Sequence, residues 1–189
     1  MRICSLKICV IICSLLSFSF FSLGNTSTNF ILVVSDSHSI NAVGAYNGTL
    51  SITNPTPNLD RIASKSAIFT NAFCGNSSSG PSIATLLTGS HSHINGFIEN
   101  KNNFNFPHES LPKALKDAGY ETALIGRWDL GSKPLHFDYW KILADSTEKF
   151  NPQFLMENGE KRIEGHATDI ITDLVIQWLS KRKKNKPYF

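Results

Sequence analysis

The chain has 189 residues, which is enough for one domain with a hydrophobic core or for part of a larger domain. Hydrophobic residues make up 41% of it and charged residues 17%, ordinary values for a globular protein that exclude a disordered chain and a coiled coil. The formal net charge is only +3, so no global positive field favours nucleic acid as a partner.

The first 24 residues have the layout of a secretory signal peptide. Arg2 and Lys7 form a positively charged start, an apolar run covers residues 8–21, and small polar residues follow. The run is shorter than the roughly 20 apolar residues of a membrane-spanning helix, which makes an uncleaved anchor the weaker alternative. We predict a signal peptide over residues 1–24 and no stable membrane anchor. The protein would be secreted or periplasmic, or lysosomal or extracellular in a eukaryote.

The segments between residues 29 and 73 predict a strand, a helix and a second strand. An apolar, β-branched run at 29–35 is typical of a strand buried on both faces of a parallel sheet, and Asp36 follows it directly. A helix is expected after Thr56, with Pro57 in its first turn, and another strand over 67–73. Because ligands bind beyond the carboxyl ends of strands in open α/β sheets, Asp36 is a candidate site residue.

Residues 77–89, SSSGPSIATLLTG, predict a short apolar helix. Pro81 suits its first turn, Ser79 or Ser82 could cap it, and Gly89 suits its end. A serine at a helix N-terminus can act as a nucleophile or bind an anion. Ser79 is therefore the central candidate of the sequence.

Strands and helices continue to alternate through the second half, which predicts the α/β class. The expected elements are a helix from Ser110 to Gly119, a strand over 121–127, a hairpin turn at Asn158-Gly159, a helix over 167–184 and the first residues of a strand at 186–189.

Three polar segments are candidates for chemistry, and each taken alone is a weak indication. An aspartate after a strand, as in Asp36-Ser37-His38, caps a helix as often as it binds a metal. Serines before Gly-Pro usually form turns, which is the plain interpretation of Ser77–Ser79. The third segment is Arg127-Trp128-Asp129. The pair His91 and His93 has the spacing of metal ligands but is more often structural.

Over about residues 29–189 the chain contains six recognisable blocks in order, NFILVVSDSHS, NPTPNLDRIASKSAIFTNAFC, GPSIATLLTGSHSHINGF, LPKALKDAGYETALIGRWDLG, FDYWKIL and IEGHATDIITDLVIQWL. It resembles the N-terminal part of the formylglycine-dependent sulfatases, and within them it is similar to enzymes related to N-acetylglucosamine-6-sulfatase. That resemblance implies an alkaline-phosphatase/sulfatase-like mixed sheet flanked by helices, with residues 25–189 as an incomplete N-terminal domain.

The resemblance also implies site residues, a cofactor and a substrate class. In the family a cysteine or serine in C/S-x-P-S-R becomes formylglycine, whose hydrate carries two hydroxyls, and Ser79 matches that position. Asp36, Ser37 and Ser79 match ligands of the family's divalent metal, usually calcium. Arg127 and Asp129 match the lysine and histidine of K-W-H-L-G as catalytic positions, with Arg127 also binding substrate. The implied partner is a sulfated glycan or sugar.

Four departures from the family pattern alter these positions. Ile83 stands where the modification motif has arginine, so we expect Ser79 to remain serine rather than become formylglycine. Ser37 replaces a metal-binding aspartate, which weakens the calcium site. Asp129 replaces a possible cation by an anion, and Ser90 replaces a basic residue. The family's second metal-ligand pair corresponds to positions beyond Phe189.

The first hypothesis is thus a sulfatase-family hydrolase of sulfate esters on sugars whose catalytic positions are altered, so that we expect no turnover. The alternative is a non-catalytic exported glycan-binding remnant or a truncated gene product. A third is an esterase that uses Ser79 with His91 or His93, for which no ordered set of acid, base and orienting group is visible.

Overall fold

The computed structural model describes residues 27–100, 103–105 and 109–189. The predicted signal peptide over residues 1–24 lies outside these ranges. Within them, no helix has both the length and the apolar character needed to cross a membrane.

Five α-helices and three short 3-10 helices occur in the described part of the chain. The α-helices are α1 Pro57–Ala63, α2 Ser79–Thr88, α3 Ser92–Asn95, α4 Leu111–Asp117 and α5 Ala167–Lys181. The 3-10 helices are Ile40–Ala42, Gly44–Tyr46 and Ser51–Thr53. Proline lies in the first turn of α1 and α4, where its missing N–H costs no hydrogen bond. The predicted helices are therefore confirmed, although α5 ends at Lys181, before the basic run is complete.

A mixed four-stranded sheet forms the centre of the fold, in the order β1-β2-β3-β4. The strands are β1 Ala123–Gly126, β2 Tyr139–Leu143, β3 Gln153–Met156 and β4 Gly159–Arg162. β1 and β2 are parallel, whereas β3 pairs antiparallel with both β2 and β4. The predicted α/β class, with a mixed sheet flanked by helices, is confirmed.

The β3–β4 connection confirms the predicted hairpin and refines its turn. Glu157 and Asn158 form the loop, and Gly159 is already the first residue of β4, paired with Met156. Gly159 has φ of +122°, a conformation that residues with a Cβ rarely adopt. The residue with the positive φ is thus the first residue of β4 and lies directly after the two-residue loop.

Two predicted strands are absent from the described residues. The segments 29–35 and 67–73 have no strand assignment, and Val33 is 83% exposed. An apolar run becomes a buried strand only when it has sheet neighbours and packing on both faces. Here the first segment contacts the sheet edge through two hydrogen bonds with Tyr188. Phe30 N–H donates to Tyr188 C=O at 2.9 Å, and Tyr188 N–H donates to the Asn29 side chain at 3.2 Å.

Residues 187–189, where we expected the start of a further strand, pair with the sheet edge through one isolated bridge and are not assigned as a strand. Tyr188 forms a parallel bridge with Glu121, immediately before β1. Phe189 N–H donates to Glu121 C=O at 3.0 Å, and Ala123 N–H donates to Phe189 C=O at 2.8 Å. The C-terminal residues therefore extend the sheet beside β1.

The alternation of side chains along the strands divides the core into two layers. Leu124 of β1 and Ile142 of β2 belong to the first, with α2 and the segments around it. Ile125 and Phe154 belong to the second, with the apolar face of α5. The two sides of β1 thus pack against apolar residues of α2 and of α5 respectively.

Candidate functional site

Ser79 is the first residue of α2 and does not cap it. The N-cap is Ser78, whose backbone is extended and whose side chain makes no capping hydrogen bond. Both predicted capping residues, Ser79 and Ser82, lie inside the helix. The Ser79 hydroxyl is consequently free of the helix backbone and points to partners in other segments.

Gly80 allows two of those segments to approach the beginning of α2. A Cβ at this position would lie 2.6 Å from both the Asn100 side-chain oxygen and the Asp129 carbonyl oxygen. It would also lie 2.9 Å from the Phe97 ring. Only glycine fits such a close approach without displacing these atoms.

Arg127 joins Ser79 to two carboxylates. It follows β1 directly, after Gly126, whose φ is +119°. Its Nη1 pairs with Asp36 and its Nε with Asp129, while Nη2 donates to Ser79 Oγ at 3.3 Å. Four predicted site residues from three separate segments therefore meet at one guanidinium.

The segment around Arg127 is fixed by a buried tryptophan. Trp128 is buried, and its Nε1–H donates to the Ser132 carbonyl at 2.5 Å. Asp129 has a left-handed backbone with φ of +55°, and its carboxylate returns to Arg127. The carboxylate side chain is only 16% exposed. Asp129 is thus paired within its own loop.

Asn100 is a site residue that sequence analysis missed. Its Nδ2 donates to Ser79 Oγ at 3.4 Å, and its Oδ1 accepts from Gly80 N–H at 3.0 Å. One asparagine in a polar segment carries no motif, so no pattern in the sequence indicated it. Only the folded chain brings this segment against the start of α2.

Ser37, His38 and the His91–His93 pair are not part of the Ser79 hydrogen-bond network among the described residues. Ser37 has φ of +53°, and the His38 ring is hydrogen-bonded to Ser35 Oγ at 3.1 Å. The rings of His91 and His93 stack on each other with centroids 6.0 Å apart. Among the described residues, the two side chains that hydrogen-bond to Ser79 Oγ, Asn100 and Arg127, both donate to it, and neither can act as the base that an esterase requires.

A cavity of about 940 Å³ opens beside this cluster. Ser79, Asn100 and Arg127 line one part of it, and buried or half-buried residues of β2 and β3, including Trp140, line another. Its volume lies within the range of small-molecule sites. The remaining polar lining consists of Asp129, Ser132, Lys133, Asp145, Ser146, Glu157 and Glu160.

The residues present do not fit a tightly held calcium ion. Calcium takes about 6–8 oxygen ligands, and its affinity rises with their charge. Of the three predicted ligands, only Asp36 carries a charge, and its carboxylate is paired with the Arg127 guanidinium. The described residues also contain no group of three or more His, Cys, Asp or Glu side chains placed to hold a metal.

Comparisons with known proteins identify the family. A family model described as Sulfatase matches residues 28–189. Over 164 residues the chain is 45% identical to an N-acetylglucosamine-6-O-sulfatase of Bacteroides thetaiotaomicron, which covers 85% of this chain and 29% of that protein. Over 168 residues it is 36% identical to the human N-sulphoglucosamine sulphohydrolase, covering 85% of this chain and 30% of that one.

A solved structure supports the same conclusion. It shows an enzyme in complex with its substrate D-glucosamine-2-N,6-O-disulfate, and this chain is 43% identical to it with a TM-score of 0.81. The match covers 85% of this chain and 33% of that one, and the curated relatives are likewise spanned over about three tenths of their length. The predicted likeness to enzymes related to N-acetylglucosamine-6-sulfatase is thus confirmed, and the chain belongs to the sulfatase family.

Proposed function

We propose that this protein binds sulfated amino sugars of the N-acetylglucosamine-6-sulfate type and does not hydrolyse their sulfate ester. The observation that carries the proposal is the environment of Ser79. Its hydroxyl accepts hydrogen bonds from Arg127 and Asn100. The guanidinium of Arg127 is in turn paired with two carboxylates, those of Asp36 and Asp129.

The binding part of the proposal rests on the family and on the cavity. Relatives that share most of this chain are named for sulfated glucosamines, and one solved neighbour is described with such a substrate. The cavity beside Ser79 has room for a sugar, and the half-buried ring of Trp140 offers it an apolar surface. Aromatic faces of this kind suit the apolar faces of sugar rings.

Lys133 supplies a cation for the sulfate. It lines the same cavity as Ser79, and its side chain is exposed. The guanidinium of Arg127 already carries two carboxylates, so these three groups have a formal charge of −1. A sulfate would therefore contact the Lys133 ammonium together with the remaining N–H groups of Arg127, and the binding would be weak and sensitive to salt.

The absence of turnover follows from Ser79 and its neighbours. The side-chain carbon of an unmodified serine carries one hydroxyl, so after one sulfate transfer it has no second hydroxyl to expel the sulfate. Two donors occupy the Ser79 oxygen and lower its reactivity. Ile83, in the place of the motif arginine, packs against the hydrophobic core. We infer that Ser79 stays serine.

The proposal includes processing and location. Residues 1–24 would be removed as a signal peptide, and residues 25–189 would form the exported sulfatase N-terminal domain, in the periplasm or outside the cell. The protein would bind calcium only weakly, because one charged ligand of three remains among the predicted metal residues.

The test combines binding, turnover and mass spectrometry on the full chain. Titration calorimetry with N-acetylglucosamine-6-sulfate should give a millimolar dissociation constant, with N-acetylglucosamine binding at least threefold more weakly. Lys133→Gln should remove that preference, whereas Lys161→Gln, on β4 and outside the cavity lining, should keep it. Equal affinity for both sugars would contradict the binding proposal.

An active sulfatase is the second candidate, favoured by the 45% identity to a curated sulfatase and by the position of Ser79 at the start of α2. Peptide mass spectrometry across Ser79 should show an unmodified serine, and no sulfate should be released from N-acetylglucosamine-6-sulfate. An aldehyde at Ser79 with released sulfate would establish this second candidate instead.

A further inference from the structure

We propose that the guanidinium of Arg127 takes the place of a divalent cation in this site, so that the cluster is held together without metal. Removal of the guanidinium would then free a cation site of clearly higher affinity than the weak calcium binding of the native chain. This proposal concerns the cation alone and is independent of whether a sulfated sugar binds.

The contacts of Arg127 are those that a bridging cation would make. Asp36 and Asp129 each direct one carboxylate oxygen to it, through Nη1 and Nε respectively, and Ser79 Oγ lies 3.3 Å from Nη2. The Asp36 contact joins positions 91 residues apart in the chain. Two carboxylates and a hydroxyl from three segments thus share one positive centre.

The chemistry of arginine suits this role better than that of lysine. A guanidinium is planar, permanently charged and presents several N–H groups in a fixed fork, so it can bind two carboxylates on different edges. A lysine ammonium is a point charge and would favour one of them. Asp129 is the more enclosed of the two carboxylates, at 16% exposure, and has the greater need of a fixed partner.

A free cation has to compete with a tethered one. Calcium binding requires about 6–8 oxygen ligands, and the two carboxylates facing Arg127 already have an intramolecular partner. To enter, calcium would have to displace the guanidinium and separate it from both carboxylates at once. We therefore expect the native chain to bind calcium far more weakly than a chain that lacks the guanidinium.

Terbium luminescence is a suitable measurement, because Tb³⁺ replaces Ca²⁺ at oxygen sites and is excited by a nearby indole. Trp128, the neighbour of Arg127, provides that indole. The full 189-residue chain should show no saturable terbium signal below 1 mM. Arg127→Gln should saturate at a concentration at least tenfold lower, and calcium should displace the terbium. Arg127→Lys should lie between the two.

Lys116→Gln is the matched control. Lys116 pairs with Asp138, the residue before the first residue of β2. Its removal therefore also frees a carboxylate and changes the net charge by the same amount. Its terbium titration should match that of the native chain. An increase in terbium affinity as large as that of Arg127→Gln would show that the change in net charge alone is responsible, and it would overturn the proposal.

The native chain provides a test even if Arg127→Gln fails to fold. Its melting temperature should be the same in 5 mM CaCl₂ and in 5 mM EDTA. A calcium-dependent increase of several degrees, saturable terbium binding at micromolar concentration, or equal titrations of native chain and folded Arg127→Gln would each overturn the proposal. If the native chain does not bind the sulfated sugar, the proposed function is contradicted, but the results expected from the metal titrations stay the same.

Discussion

The two ends of the described chain differ in how far their apolar side chains are buried. Between residues 121 and 189, Phe154 and Leu130 are fully enclosed, at 0% exposure. Between residues 27 and 73, Val33 is 83% and Phe73 is 91% exposed. The sheet region therefore contains its own packing partners, whereas the first region is joined to it by a few polar contacts. The candidate site lies where the two regions meet, because Asp36 belongs to one and Arg127 to the other.

The largest expected effect is the loss of a core side chain from the sheet region. Phe154→Ala removes a fully buried ring from between β3 and α5. Truncation of a buried phenylalanine costs about 3–5 kcal/mol of unfolding free energy. Urea unfolding followed by far-UV circular dichroism would measure it.

Phe73→Ala is the control from the other region, where the ring is exposed. The change should be within about 0.5 kcal/mol, because little buried surface is lost. Equal losses for the two variants would show that the first region is as well packed as the second and would remove the contrast between them.

A smaller effect is expected where the two regions meet. Gly80→Ala introduces a methyl group 2.6 Å from the Asn100 side-chain oxygen and the Asp129 carbonyl. Such overpacking costs about 1–3 kcal/mol, and part of it would be relieved by displacement of the Asn100 segment. Thermal unfolding would show it, with Ser82→Ala in the same helix as the control. An unchanged melting temperature would mean that the approach of these segments is looser than the structure shows.

Asp138 gives the sheet region a dependence on pH. Burial opposes its ionisation, but hydrogen bonds from Lys116 and Thr122 outweigh burial and hold its pKa below the ordinary value. A carboxylate with a lowered folded pKa stabilises the protein above about pH 4, and this contribution is lost as the pH falls through the folded value.

Asp138→Asn should therefore cost less than about 1 kcal/mol at pH 7, since the pair is partly exposed and screened by solvent. The variant should also lose less stability than the native chain between about pH 4 and pH 2. Urea midpoints at these pH values would test it, with the exposed Asp173→Asn as control. Parallel pH profiles of native chain and Asp138→Asn would contradict this expectation.

The smallest effect is the coupling between Asp36 and Arg127 across the two regions. Because the Asp36 side chain is 54% exposed, a double-mutant cycle with Asp36→Asn and Arg127→Gln should give about 0.2–0.5 kcal/mol. The coupling should decrease in 0.5 M NaCl, where exposed charges are screened. A coupling independent of salt would indicate a contact more enclosed than this one.

Local signals made most of the helices and the hairpin predictable. Proline in the first turn, glycine at the end of α2 and the Asn158-Gly159 pair act over a few residues, so the sequence is sufficient to place them. The predicted strand at 29–35 was wrong, because an apolar run indicates only that burial of its side chains would be favourable and does not show that a neighbouring strand is present. Whether neighbours exist to bury it depends on contacts far along the chain.

The candidate site was predictable in membership and only partly in geometry. The motif order indicated Ser79, Arg127, Asp129 and Asp36, and these four meet in the structure. The sequence predicted that Asp129 puts an anion in place of a possible cation, and the structure adds that this carboxylate is paired with Arg127. Asn100 belongs to no motif, and its contact with Gly80 arises only when the chain folds and its segment packs against the first turn of α2.

The edge formed by residues 187–189 has a consequence for the order of folding during synthesis. Tyr188 lies between Glu121 and the segment at Phe30, and its N–H donates to the Asn29 side chain across 159 positions of the chain. Contacts of such high sequence separation form late, since the loop between their ends must close first. The segment that leaves the ribosome early would therefore wait for Tyr188 with its apolar residues exposed. A chaperone that holds this early segment would shorten the period in which it can aggregate.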